Sequence, residues 1–433
     1  TGLRAQPQID REVLGLDDAA ADRWERAAER VWKGWAESDE CDVTRGARFS
    51  DLQSLAFRSA MESGDVFAIK RWMGLEARRY GYALQLIEAD RVENPGFMRD
   101  GAPLPSGNSV AGGVERNRDG TPIAYHVLER HPGGLEMTAP SRTWTRLPVF
   151  TPSGIRADLH LFVRLRPDQA RGVPYLAPVI ESLKELDRYT EAERMAAVVS
   201  AMFTVFVKTE SGVGLAPAPP RSETAAAAGD EDYKLGTGAI VDLAQGEDVT
   251  IANPGRPNDA FDMFVMAILR QVASALELPL ELLIKHFTAS YSASRAALLE
   301  AWKFFRHRRQ WLATGFCAPC YRDLITEAVG RGILAAPGYF DDPLVRDAWL
   351  GHRWIGPAPG QLDPLKEVDA AAKRIDIGVS TLARETAEIT GDDWESVHAQ
   401  MVKEIRLRAA AGLPGAPPAA ALPPPAEPAA AHE

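Results

Sequence analysis

Cysteine is scarce in this chain. Three residues of 433 (Cys41, Cys317 and Cys320) exclude a disulfide framework and suit a reducing cytoplasm. No apolar run approaches the ~18–20 residues that span a bilayer, so no membrane partner is expected. The opening stretch TGLRAQPQIDREVLGL is polar and lacks an apolar core, so no secretory leader is expected. It also lacks an initiator Met, from which we expect the natural chain to begin earlier. There is no G-x-x-x-x-G-K-[ST], which removes a packaging ATPase or any other P-loop enzyme from consideration. H-E-x-x-H and G-x-S-x-G are missing too, and the eight histidines do not cluster at ligand spacing. No metal and no cofactor are therefore expected. Lysine is rare, 10 of 49 basic residues, a bias that follows a GC-rich genome more than function. Cations are outnumbered overall: the formal net charge is −11 and the isoelectric point about 5.4. That excludes a protein that holds nucleic acid by bulk attraction. It does not exclude one past which DNA must slide, because tight phosphate contacts act as brakes.

What is present reads as an ordinary globular chain, 45% apolar and 25% charged, long enough for two or three domains. Helical spacing over 10–37 puts Trp24, Val31 and Trp35 near one face, and a second helix fits 49–62 with Ser50 or Asp51 as N-cap. Strands are predicted at 65–72, 82–89, 109–116, 122–129 and 159–165, with a hairpin at Asn117-Arg118-Asp119-Gly120. From Pro178 a helix of 31 residues, 178–208, would reach roughly 45 Å, the length of a strut. The Gly/Pro/Ala/Ser-rich 211–230 reads as an exposed loop, followed by short strands at 239–243 and 248–252. A second helix at 258–277 carries an i, i+3, i+4 stripe of Phe261, Phe264, Val265, Ile268, Val272, Ala275 and Leu276. A polar break at 284–292 precedes a third helix from Ala293 to about 330. Helices at 364–387 and 393–411, the latter capped by Asp392 or Asp393, come before an Ala/Pro tail of low complexity. The fold class is α+β.

Three motifs tempt a chemical reading. Cys317-Ala318-Pro319-Cys320 is a C-x-x-C, but it lies in a helical run far from any βαβ pattern. Two small packing residues are the preferred reading over a redox dithiol. The run Lys303-Phe304-Phe305-Arg306-His307-Arg308-Arg309 fits phosphate contact, or pairing with acids on a neighbouring subunit. The acidic clusters Asp230-Glu231-Asp232 and Glu247-Asp248 lack a third ligand or a histidine and read as solvated.

Several longer stretches, in their order and spacing, resemble the lambda-like family of tailed-bacteriophage portal proteins. They include QLIEADRVENP (85–95), GGVERNRDGTPIAYHVLERHP (112–132) and HLFVRLRPDQARGVPYLAPVI (160–180). ANPGRPNDAFDMFVMAILRQVASALELPLELL (252–283), SYSASRAALLEAWKFFRHRRQ (290–310) and DPLKEVDAAAKRIDIGVSTLARETAEITGDDWESVHAQ (363–400) continue the series. The likeness runs from about Gly2 to Gly412; the start is shorter than is usual in the family, and the tail matches no module.

The resemblance implies a head–tail connector and not an enzyme: a homo-oligomeric ring, a dodecamer in the particle, at the unique capsid vertex of the virion. It implies assembly in the host bacterial cytoplasm and double-stranded DNA passing through the channel without sequence specificity. Expected partners are the terminase large subunit, the major capsid or scaffold protein, and head-completion or tail adaptor proteins. On this plan residues 1–177 are an α/β wing, 178–208 the first stem helix, 209–257 a small β-containing clip and 258–283 the second stem helix. Residues 284–292 become a tunnel loop whose Lys285, His286, Thr288, Ser290, Tyr291 and Ser292 brush DNA; an ordinary helix–helix connection is the alternative. Residues 293–362 are a tunnel-side helix and return to the wing, 363–411 a helical crown and 412–433 the tail. Lys303, Arg306, Arg308 and Arg309 are the phosphate-contacting or inter-subunit cations. A different head–tail adaptor, or a redox enzyme built on Cys317 and Cys320, are the competing readings.

Overall fold

The computed structural model describes residues 2–133, 142–152, 154–201, 205–209, 247–251, 260–286, 291–359 and 364–410. The chain divides into two compact units. One comprises Thr1–Tyr175 with Tyr291–Glu433, the other Leu176–Ser290.

The larger unit is built around an aromatic core. The expected helix at 10–37 is two helices: Arg11–Leu14 ends at Gly15, whose left-handed backbone (φ 65°) no other residue adopts as cheaply. Asp17 then caps Asp18–Ala36 by accepting from the Ala20 N–H at 2.6 Å. This helix buries Trp24, Ala28, Val31, Trp32 and Trp35 along one face. Trp32 meets Phe49 edge-on at 5.1 Å, Phe49 stacks on Phe316 at 5.5 Å, and the Trp35 indole donates to the Tyr82 carbonyl at 2.8 Å. The second helix, Phe49–Ser63, is capped by Arg48 and not by Ser50 or Asp51; Asp51 instead reaches back to the Arg48 N–H at 3.1 Å.

Strand Asp65–Trp72 lies between Tyr82–Glu88 and Asp158–Phe162 in an antiparallel three-stranded sheet. Its apolar start is buried on both faces. Val66 and Ala68 join the large core, while Phe67 and Ile69 face a second cluster with Ile87, Val114 and Tyr125. Period-two alternation thus feeds two cores from one strand. A five-stranded antiparallel sheet follows in chain order: Ala102–Pro103, Ser109–Ala111, Val114–Arg116, Pro122–Leu128 and Trp144–Pro148. The single strand expected at 109–116 is a hairpin, because Gly112 and Gly113 both take positive φ and turn the chain. The turn at 117–120 is as expected, with Gly120 at φ 81°. A pairing the sequence did not reveal joins the two chain segments of this unit: Arg4–Pro7 runs antiparallel to His352–Ile355.

A helical rod runs from Tyr291 to Gly330, interrupted by one wide π-type turn at Ala313–Cys317. Pro319 explains the interruption. Its ring collides with the carbonyl four residues back in a regular helix, here Gly315, and a widened turn moves that carbonyl aside. The single helix expected over 364–387 is two, Pro364–Asp376 and Leu382–Ile389. Gly378 (φ 74°) ends the first and Thr381 caps the second. Helix Trp394–Ala410 follows, with Asp393 accepting from the Glu395 N–H.

In the smaller unit the helix expected over 178–208 spans Ile180–Ala201, and Val205–Thr209 is a strand. β-Branched and aromatic residues crowd Val205-Phe206-Val207, which favours the pleated conformation. This strand pairs antiparallel with Glu247–Ile251. The expected strand 239–243 and the loop 211–230 lie outside the described residues. Helix Phe261–Ala275 packs beside the first, with Tyr189 stacked on Phe261 at 5.6 Å and tilted against Phe264 at 4.5 Å. Of the expected stripe, Ile268, Val272 and Leu276 are buried, while Phe264 keeps 46% of its surface.

Candidate functional site

The polar break follows a short helix, Leu280–Leu283. Lys285 and His286 are exposed; Lys285 takes a left-handed φ of 53°, and the His286 N–H donates to the Glu281 carbonyl at 3.1 Å. Thr288 and Ser290 lie outside the described residues. Tyr291 and Ser292 are the first two residues of helix Tyr291–Leu312, which starts two residues earlier than expected.

The basic run does not form one patch, because helix geometry sends its members in different directions. Lys303 pairs with Glu300 on its own helix at 2.7 Å, both exposed. Arg308 lies over the Tyr175 and Phe304 rings, 4.9 and 5.0 Å from their centroids, a cation–π stack that occupies its guanidinium. Arg309 turns the other way, 5.7 Å from the Trp302 centroid, and donates to the Pro357 carbonyl at 2.6 Å. Arg306 is exposed, with no ion-pair partner among the described residues. Burial, and then the charge of Arg306, hold the Arg309 guanidinium below its ordinary pKa.

Arg306 and Arg309 belong instead to a groove of about 510 Å³ that sequence reasoning missed. Arg295, Leu299, Trp302, Arg306 and Arg309 recur at three- and four-residue spacing and share this face of the helix. The opposite wall brings Arg353, Arg374 and Arg384, with Glu367, Glu385 and Glu388 among them. Arg374 grips Glu385 in a two-pronged pair at 2.8 and 2.5 Å, holding that carboxyl below its usual range, and Arg384 meets Glu388 at 3.3 Å. The helical spacing of 295–309 was visible in the sequence; the wall opposite was not.

The C-x-x-C motif sits where the wide turn rejoins the regular helix. Cys317 and Cys320 have no exposed surface. Burial pushes the Cys320 thiol up to about 12, and that of Cys317 well above its ordinary value. Neutral buried thiols are poor nucleophiles, and the pair contributes packing to the core with Phe316 and Tyr321. Among the described residues no group of three or more His, Cys, Asp or Glu is placed to hold a metal ion. No helix among them is long and apolar enough to cross a membrane.

The family model for phage portal protein, lambda family, matches residues 1–309. Portal protein B of Escherichia phage lambda is 27% identical over 421 residues, covering 92% of this chain and 77% of its own length. The portal protein of Escherichia phage N15 is 26% identical over 421 residues, with the same two coverages. A solved chain from the virion of a native gene transfer agent particle overlays with a TM-score of 0.41 at 13% identity, covering 83% of this chain and 87% of that one. A second, from the neck of the native particle computed with C12 symmetry, overlays at 0.39 and 13% identity with the same coverages. With the family match reaching from the N-terminal strand through the basic helix, the chain belongs to the lambda family of phage portal proteins, the head–tail connectors of tailed phages.

Proposed function

We propose that this portal chain closes into a ring, twelve copies in the particle, whose channel carries double-stranded DNA into and out of the capsid without reading its sequence. The observation that carries the reading is the separate unit Leu176–Ser290, in which two helices flank an antiparallel strand pair, inside a family match that runs through it. That order supports taking Ile180–Ala201 and Phe261–Ala275 as paired stem helices and the segment between them as the clip. Residues 1–177 are then the wing, 284–292 the tunnel loop, 293–362 the tunnel-side helix with its return to the wing, and 363–411 the crown.

The clip end receives the terminase large subunit during packaging and head-completion or tail adaptor proteins afterwards, while the wing and crown face the capsid or scaffold. Assembly takes place in the host cytoplasm, and the finished ring resides at the capsid vertex. The chain performs no catalysis of its own; the buried, protonated Cys317 and Cys320 support this. A net charge of −11 supports a lumen that repels phosphates and so lowers friction. The exposed Lys285 in the tunnel loop then checks backward slip.

The test is the solution mass of the purified protein with negative-stain images of the same peak. Twelve chains of 47.2 kDa give a ring of about 570 kDa with a central hole. A protein that stays monomeric at high concentration and with its scaffold present overturns the reading.

A further inference from the structure

Two grooves of opposite charge flank the strand His352–Ile355. The arginine groove has been described. The other, of about 860 Å³, is lined by Asp10, Glu12, Asp22, Glu25, Asp393 and Glu395 among others. Arg353 reaches both, and helix Leu382–Ile389 contributes Arg384 and Glu388 to the first and Ala383 to the second.

Each groove holds an excess of one sign: six arginines against three glutamates in the first, and seven carboxylates against Arg11 and Arg353 in the second. Arg295 and Arg306 have no carboxylate within ion-pair distance among the described residues, and Arg309 is crowded by Arg306. In the second groove burial, and then neighbouring carboxylates, hold Glu25 and Glu395 above the usual carboxyl range. Glu395 and Asp22 act on Glu25; Asp393 and Asp22 act on Glu395. Like charges held together raise the free energy of each groove until an opposite charge arrives.

The lining of the arginine groove favours protein over nucleic acid. Glu367, Glu385 and Glu388 stand among the cations and would repel a continuous run of phosphates. Leu298, Leu299 (57% exposed), Trp302 and Pro357 supply apolar surface. Guanidinium groups around an apolar patch are the composition of protein–protein contacts.

We propose that the arginine groove receives the acidic flank around Asp22 and Glu395 of a second copy of this chain. Each subunit then offers cations to one neighbour and carboxylates to the next, a heterologous contact that repeats around a ring. The inference rests on the ring reading above, and charge complementarity selects the occupant.

Two charge-reversed proteins test it: R295E/R306E and D22K/E395K. Alone, each sets like charges against each other at every interface, and the subunit concentration needed for rings should rise about tenfold or more. Mixed in equal amounts they should form rings again, because each variant's altered groove now complements the other's. Thermal melts of both variants establish that the subunits fold. Should either be unfolded, R295Q/R306Q and D22N/E395Q replace them, each expected to weaken assembly without repulsion. Parental ring formation by both single proteins, or a mixture that stays unassembled with native melts, overturns the inference while parental rings leave the ring reading intact. Absence of rings in the parent removes both. If R295E/R306E assembles normally but retains less DNA, the groove serves DNA and the inference fails.

Discussion

Arg171 closes on Asp65 in a two-pronged ion pair, Nε to Oδ2 at 2.6 Å and Nη2 to Oδ1 at 3.0 Å. The carboxylate is almost wholly buried and also bonds His160 Nε2 at 2.9 Å and the Gly172 N–H at 3.1 Å. The remaining guanidinium donors reach the carbonyls of Val92, Gly112 and Ala89. One side chain thus ties the central strand to the segment Ala89–Val92 and to the Gly112 turn of the five-stranded sheet. Replacing Arg171 with Ala strands a buried negative charge and should cost about 3–5 kcal/mol in urea unfolding. Lys should rescue little, since it cannot span both oxygens. An Arg171→Ala protein within 0.5 kcal/mol of the parent, taken as about the scatter of a neutral surface change, would refute this.

Two buried carboxyls give stability opposite slopes with pH. For Asp65 burial raises the pKa, but hydrogen bonds from His160 and Arg171 outweigh it and hold the group well below its ordinary value. Its contribution is complete above the ordinary carboxylate range and is lost as pH falls through the depressed folded value. Asp158 is pushed up from 3.8 to about 6, chiefly by burial. The folded state keeps that proton longer, so stability falls as pH rises from about 3.8 to about 6 and levels off above. Melting temperatures across pH should show the Asp158→Asn variant flatter in this window, with acid unfolding unchanged. An unaltered profile would remove Asp158 from the account.

Gly172 passes so close to Gly64 that a β-carbon on it would stand 1.9 Å from the Gly64 carbonyl oxygen. The obstacle is backbone and cannot rotate away. Gly172→Ala should destabilise by about 1–3 kcal/mol, the range for overpacking. Gly332→Ala is the control, since positive φ strains it but nothing lies within 4 Å. Gly172 itself lies outside the left-handed region, so a Gly172→Ala protein as stable as the parent would mean that the collision sets no cost.

All three cysteines are buried and free, and burial is the chief cause holding their thiols protonated. A thiol-reactive dye should label the native protein negligibly and titrate three groups once it is unfolded. Cys317→Ala with Cys320→Ala should assemble like the parent. Rapid labelling of two thiols in the native protein would revive the redox reading.

Deleting residues 285–292 should leave rings intact while lowering the fraction of DNA-filled heads. Counting filled and empty particles by electron microscopy decides it. Normal packaging and retention by the deletion protein would return this segment to an ordinary connection.

Local signals in the sequence transferred well where contacts are local. Strand Asp65–Trp72 matches its expected bounds because Val66, Phe67, Ile69 and Trp72 are strand formers and Gly64 and Gly74 punctuate its two ends. The Asp119-Gly120 turn follows from one positive φ. The misses have equally particular causes. The composition of 109–116 suggests one strand, yet its two adjacent glycines, Gly112 and Gly113, take positive φ and turn the chain. Residues 205–208 read as the end of a strut because apolar density alone does not separate a buried helix from a strand. The pairing of Arg4–Pro7 with His352–Ile355 joins segments almost a whole unit apart in sequence, so no local pattern announces it. Lys303, Arg306, Arg308 and Arg309 are close in sequence, yet a turn of 3.6 residues scatters them over three directions. The arginine groove needed a wall from residues 353–388 that only the tertiary fold supplies.

The wide turn at Ala313–Cys317 has a consequence for how the rod faces its surroundings. In the sequence, Arg295, Leu299, Trp302, Arg306 and Arg309 lie in step with Ala313, Phe316, Cys320, Leu324 and Ala328, as though one continuous stripe were bound for the core. A π-type turn inserts one extra residue and sets the helix back by about 100°. Ala313 stands one turn after Arg309 and is already in the core; beyond it the offset brings Cys317, Tyr321 and Ile325 alongside Cys320, Leu324 and Ala328 under the tryptophans, while the N-terminal half lines the arginine groove. Pro319 acts as an indexing pin between two orientations of a single helix.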